Sequence, residues 1–153
     1  LAHPEVEAVH LYDDEIVLVV HADHRFASAG STTVADAATE PIVLFDRGSS
    51  YYGMINNFFR QAGVIPNVAM ELDSLEATKR MVEEGLGIAL VPLVTIEREL
   101  RSGELVKVDL VDAEPLSRPI SMIYRKGRKR PRTAQAFIDA LTEIYSETPA
   151  GVG

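Results

Sequence analysis

Cysteine is absent from this sequence, and so is tryptophan. Without cysteine there is no disulfide framework and no thiolate metal site. That fits a reducing compartment, and a cytoplasmic location is expected. Apolar runs are short: none approaches the ~18–20 residues that a membrane helix needs, so no membrane partner is expected. Positive charge is also scarce. Only 15 Lys and Arg stand against 23 Asp and Glu, a net charge of -8. A surface this acidic repels a phosphate backbone, so any contact with DNA must come from another segment. Catalytic signatures are missing too. Gly48-Ser49-Ser50 does not complete a GxSxG elbow. Gly85-Leu86-Gly87 precedes a strand rather than following one, so it is no dinucleotide fingerprint. His21-Ala22-Asp23-His24 lacks metal-ligand spacing and reads as a joint between lobes. No enzyme, no cofactor and no metal is therefore expected. The chain opens on Leu1 rather than Met and is expected to be a segment of a longer protein.

What is present is an ordinary globular composition, 46% hydrophobic and 25% charged. Residues 15–21, EIVLVVH, form a β-branched run typical of a strand buried on both faces. Residues 22–36 are polar and read as a connection, and residues 41–46, PIVLFD, as a second buried strand. Over residues 49–62 the positions Met54, Ile55, Phe58, Phe59 and Ala62 keep the spacing of one helical face. Val68 to Leu72 is a third strand. Asp73 and Glu76 have capping-box spacing, with Ser74 an alternative cap, ahead of a helix whose stripe is Leu75, Thr78, Met81 and Val82. Gly85 ends that helix, and Gly87 admits a tight entry to the strand at 87–91. A short helix capped by Thr95, an edge strand at 105–110, a strand at 120–124 and a closing helix over 131–145 complete the chain. The alternation predicts an α/β sheet with right-handed crossovers.

One segment carries a family pattern. LDSLEATKRMVEEGLGIALVP, residues 72–92, resembles the central signature of LysR-type transcriptional regulators. Its turn is Val82-Glu83-Glu84-Gly85-Leu86-Gly87-Ile88, and its end is Leu90-Val91-Pro92. EIVLVVHADHRFA, PIVLFDRGSSYYGMINNFFRQAGVIPNVAMEL, RELRSGELVKV and ISMIYRKGRKRPRTAQAFIDAL resemble further family segments in the same order, covering residues 11–145. His24-Arg25 departs from the family's frequent His-Pro. The resemblance implies a type 2 periplasmic-binding-protein-like lobe, a mixed, mostly parallel sheet flanked by helices, plus the incomplete end of a second lobe. The boundaries expected are the end of lobe one and a crossover strand at 1–21, lobe two at 22–119, a return strand and closing helix at 120–147, and a frayed tail at 148–153.

The most informative polar cluster is Asp46-Arg47-Gly48-Ser49-Ser50-Tyr51, at the carboxyl end of a strand and the start of a helix. Ligands of open α/β sheets bind at that edge. Helix N–H groups and the dipole favour anions there, and Arg47 can pair with a carboxylate. The bland alternative is a helix cap beside a solvated arginine. Ser74, and Pro92 with Thr95, follow the next strand ends; capping is the first expectation for Ser74. Arg47, Gly48, Ser49, Ser50, Tyr51, Ser74, Pro92 and Thr95 are thus the expected effector-binding residues. The loop at 126–132 holds five of the basic residues and reads as a solvated turn, with contact to an acidic partner surface or a DNA backbone as the alternative.

The resemblance implies an effector-sensing domain that binds a small anionic or polar metabolite between two lobes and alters oligomer geometry. Its partners would be that effector, a second copy in a homodimer or tetramer, and DNA only through an N-terminal helix-turn-helix not contained in this sequence. A solute-binding protein of a transporter, or an enzyme on the same scaffold, are the alternatives. A truncated first lobe would also leave the strands at 15–21 and 120–124 and the closing helix without partners, and the chain self-associating.

Overall fold

The computed structural model describes residues 5–127 and 131–146. The first residues, three residues of the basic loop and the expected tail at 148–153 lie outside them. The elements run β1 (Val6–His21), α1 (Arg25–Ala29), β2 (Ser31–Thr32), α2 (Val34–Thr39), β3 (Ile42–Phe45), α3 (Ser50–Gln61), β4 (Val68–Leu72) and α4 (Leu75–Glu83). Then follow β5 (Ala89–Pro92), a 3-10 turn (Leu93–Thr95), α5 (Glu97–Ser102), β6 (Leu105–Leu110), β7 (Leu116–Arg125) and α6 (Arg132–Ser146). The chain divides into two compact units. One spans residues 15–116; the other gathers the residues up to Asp14 and those from Ser117 on.

The larger unit is organised by β1. Its half from Glu15 onward runs antiparallel to β5 on one side, with Val17 opposite Val91, and to β6 on the other, with Val19 opposite Lys107. Beyond β6 lies β2, parallel to it. Beyond β5 lies β3, joined to it in parallel through an Ile42–Ile88 bridge, and β3 carries β4 in parallel. All the buried hydrophobic residues among those described fall between Ile16 and Val108, so the core belongs to this unit. The α3 helix adds Ile55 and Phe59 from the predicted face, both about fully buried; truncating such a Phe to Ala costs about 3–5 kcal/mol.

Several expectations need correction. Residues 22–36 are not a plain connection. His24 caps α1, its Nδ1 accepting the Phe26 N–H, and Thr33 caps α2 by accepting the Asp36 N–H. Polar side chains mask these helices in the sequence because they cap and pair them: Arg25 Nε lies 2.6 Å from Glu40 and its terminal nitrogens 3.2 and 3.3 Å from Asp36. The strand at 105–110 is not an edge, since β2 covers it. The run at 15–21 does not lack partners: Ile16 to Val20 are buried between β5 and β6.

In the smaller unit β7 pairs with the first half of β1, the Lys126 N–H meeting the Glu5 carbonyl at 2.8 Å. Tyr12 stacks on Tyr145 of α6 with ring centroids 4.7 Å apart, and buried Asp14 faces Arg118 at 3.5 Å. β7 alternates half-buried and exposed residues rather than being apolar on both faces. Ile123 and Phe137 remain largely exposed.

Candidate functional site

Parallel pairing sets the geometry. Phe45 is level with Leu72 across β3 and β4, and an isolated parallel bridge sets Ile42 beside Ile88, just ahead of β5. Each strand then releases the chain at one edge: at Asp46, at Asp73 and at Pro92. The Asp46 N–H donates to the Leu72 carbonyl at 2.9 Å, tying the first two exits together.

At the first exit Asp46 Oδ1 accepts the Gly48 N–H at 3.1 Å, and its carbonyl accepts the Ser49 N–H at 3.0 Å. This local turn replaces strand pairing and aims the chain into α3. Ser49 caps that helix, its Oγ accepting the Tyr51 N–H at 3.1 Å. Tyr51 packs on Phe45 with ring centroids 5.1 Å apart. Arg47 is largely exposed, with Nε 3.8 Å from Glu71 and its guanidinium 5.9 Å from the Tyr52 ring. Ser50 is exposed at the helix start. At the second exit Ser74, and not Asp73, caps α4: its Oγ accepts the Ala77 N–H at 3.3 Å, and its carbonyl accepts the Thr78 hydroxyl at 3.0 Å.

The third exit differs from expectation. Pro92 is buried, and its carbonyl accepts the Thr95 hydroxyl at 2.6 Å. Thr95 therefore closes the 3-10 turn and does not cap α5, whose cap position, Ile96, offers no side-chain bond. Beneath the turn lies a buried ion pair absent from the sequence reading. Lys79 of α4 places Nζ 2.9 Å from Glu99 of α5, 2.9 Å from the Thr95 carbonyl and 3.3 Å from Glu76. Burial pulls the Lys79 pKa down, but the hydrogen bonds it donates to Glu99 and Glu76 prevail and leave it raised. The hydrogen bond from Lys79 holds the Glu99 carboxyl below its usual range against the opposing effect of burial. A signal was present: 75, 78, 79 and 82 keep helical spacing, which puts Lys79 on the buried stripe with Thr78 and Val82.

The substrate-binding-domain model of the LysR family matches residues 1–146. The chain belongs to that family. It is similar to the RuBisCO operon transcriptional regulator of Allochromatium vinosum, 34% identical over 87% of this chain and 44% of that protein. The namesake regulator of Acidithiobacillus ferrooxidans is 33% identical over 91% of this chain and 45% of its own length. The chain thus spans less than half of these relatives. Among solved structures, the Synechocystis PCC6803 CcmR regulatory domain, in complex with 2-PG, superposes with a TM-score of 0.85 at 25% identity, covering 95% of this chain and 70% of that one. The LysR-family chain also shares the family's α/β arrangement, a mixed sheet flanked by helices. At the sheet end opposite the three exits, His21 and His24 serve the backbone: His21 Nδ1 accepts the Asp23 N–H at 3.0 Å, and His24 caps α1 while facing Glu40 at 3.3 Å. Burial opposes ionisation of Glu40, but bonds from Arg25 and His24 prevail and keep its pKa lowered.

Proposed function

We propose that this chain is the effector-sensing part of a DNA-binding transcriptional regulator, a binding module rather than an enzyme. The effector is a small anionic or polar metabolite held against the edge where β3, β4 and β5 end. The observation that carries the reading is the convergence there of two serine-capped helix starts and the Pro92–Thr95 turn. Helix N-termini present free N–H groups and the positive end of the dipole. Arg47 adds an exposed guanidinium, in contact with Glu71 at 3.8 Å and 5.9 Å from the Tyr52 ring. The regulators among its relatives favour this over a transporter component or an enzyme. Binding shifts the population of dimer or tetramer arrangements in the cytoplasm, and with it the spacing of DNA-reading heads carried elsewhere in the protein.

The test is titration of the intact regulator with small phosphates and carboxylates, starting with 2-PG. Arg47→Ala and Ser49→Ala are expected to weaken binding about ten- to a hundredfold, since a charge-assisted hydrogen bond contributes about 1.5–3 kcal/mol. Exposed Arg47 should change stability by no more than about 0.5 kcal/mol. Unchanged titrations by both variants, with the fold intact, reject the assignment.

A further inference from the structure

The turn at the third exit has no side-chain cap of its own, yet it is held. Thr95 spends its hydroxyl on Pro92, within the turn. From a different element, Lys79 of α4 donates to the Thr95 carbonyl at 2.9 Å. All three N–H donors of that ammonium have acceptors: the Thr95 carbonyl, Glu99 and Glu76. Lys79 and Glu99 are both buried, whereas Glu76 is exposed, so the first two contacts are shielded from water. Lys79 also lies one turn beyond Ser74, on the helix whose start forms the second exit. One ammonium therefore connects α4, the Leu93–Thr95 turn and α5.

We infer that Lys79 is a positioning residue for the effector edge: it sets the Pro92–Thr95 turn relative to the Ser74-capped start of α4, without touching the effector. A buried ion pair is a costly way to gain stability, because both charges must be desolvated. An apolar residue of similar length would fill the same space between α4 and α5. It could not hold a backbone carbonyl at a fixed place. Retaining the charge makes sense where turn geometry, rather than stability, is what matters. This inference rests on the proposed location of the effector.

The experiment uses the intact regulator, with 2-PG as the probe. Lys79→Met keeps the aliphatic stem and deletes the donors; Lys79→Arg keeps charge and donors. Val34→Ala, a core truncation on α2, serves as a control for loss of stability. Lys79→Met is expected to lower 2-PG affinity at least tenfold and to speed hydrogen exchange at the amides of residues 93–96. Lys79→Arg should recover a large part of both, and Val34→Ala should alter neither, although it is destabilised. If Lys79→Met does not fold, Glu99→Gln is read instead, with a three- to tenfold loss expected because Lys79 stays but its anchor is weakened. Normal affinity or normal exchange in Lys79→Met, or in Glu99→Gln where that variant replaces it, overturns the inference alone. Equal losses of affinity in Val34→Ala also overturn it, by reducing the effect to stability. A wild-type protein that binds neither 2-PG nor other small phosphates and carboxylates overturns the site reading itself, and the inference with it.

Discussion

Two glycine-to-alanine substitutions should move stability in opposite directions. Gly87 sits where the chain enters β5. A Cβ there would lie 2.7 Å from the Pro41 carbonyl oxygen and 3.0 Å from Val43 Cγ2. Neither neighbour can retreat cheaply. The Pro41 carbonyl accepts the Ile88 N–H at 2.8 Å, and Val43 is buried in the core. Overpacking of this kind costs about 1–3 kcal/mol, and stretching the Ile88 bond adds up to about 1 kcal/mol. Gly87→Ala is therefore expected to cost about 2–3 kcal/mol. Gly53 lies inside α3 with nothing within 4 Å of its added Cβ. Gly53→Ala should stabilise the chain by about 0.5–1 kcal/mol, because alanine loses less backbone entropy in a helix. Urea unfolding followed by circular dichroism reads both, as midpoint shifts at constant slope. In a thermal scan Gly87→Ala should fall by on the order of 10 °C. A Gly87→Ala midpoint within about 0.5 kcal/mol of wild type, or shifted the same way as Gly53→Ala, would refute the close approach of β5 to β3.

Acid should erode stability through two carboxylates. Glu99 and Glu40 have folded-state pKa values below their unfolded ones, so their contribution is complete above about pH 4.3 and is lost as pH falls through the lower folded values. Denaturation measured from pH 7 to pH 3 should show this, and Glu99→Gln should flatten part of the acid limb. At neutral pH the same variant should cost about 3 kcal/mol, the low end for a broken buried pair, because Lys79 retains Thr95 and Glu76; a loss below about 0.5 kcal/mol would show that the pair is not formed. Ser74→Ala should cost about 1 kcal/mol by removing the α4 cap, measurable by urea unfolding, while Asp73→Ala should not; the reverse order would reassign the cap. The chain prepared on its own should self-associate at low micromolar concentration through exposed apolar positions such as Ile123 and Phe137; sedimentation that finds only monomer counts against it.

Much of this protein was legible from residue order. Helix α3 was readable because its apolar residues repeat at helical spacing behind a serine cap, and strands β3 and β5 because they are short unbroken apolar runs. The family pattern at 72–92 was readable for the same reason: its glycines answer local demands, Gly85 with φ of 73° and Gly87 at a contact too close for a side chain. The three-exit edge followed once parallel strands were assumed. What sequence could not decide was partner choice across the chain. The polar stretch after His21 folds into two short helices because Arg25 meets Asp36 and Glu40, residues 11 and 15 positions away. The half of β1 from Glu15 onward is satisfied within the larger unit because β5 and β6 flank it, a pairing set by contacts some 70 to 90 residues distant. Helical spacing puts Lys79 on the buried stripe of α4, but its counter-charge Glu99 is supplied only by α5. Local periodicity encodes which face of an element is buried. Only the folded chain determines what that face is buried against, and whether a charge placed there finds its counter-charge.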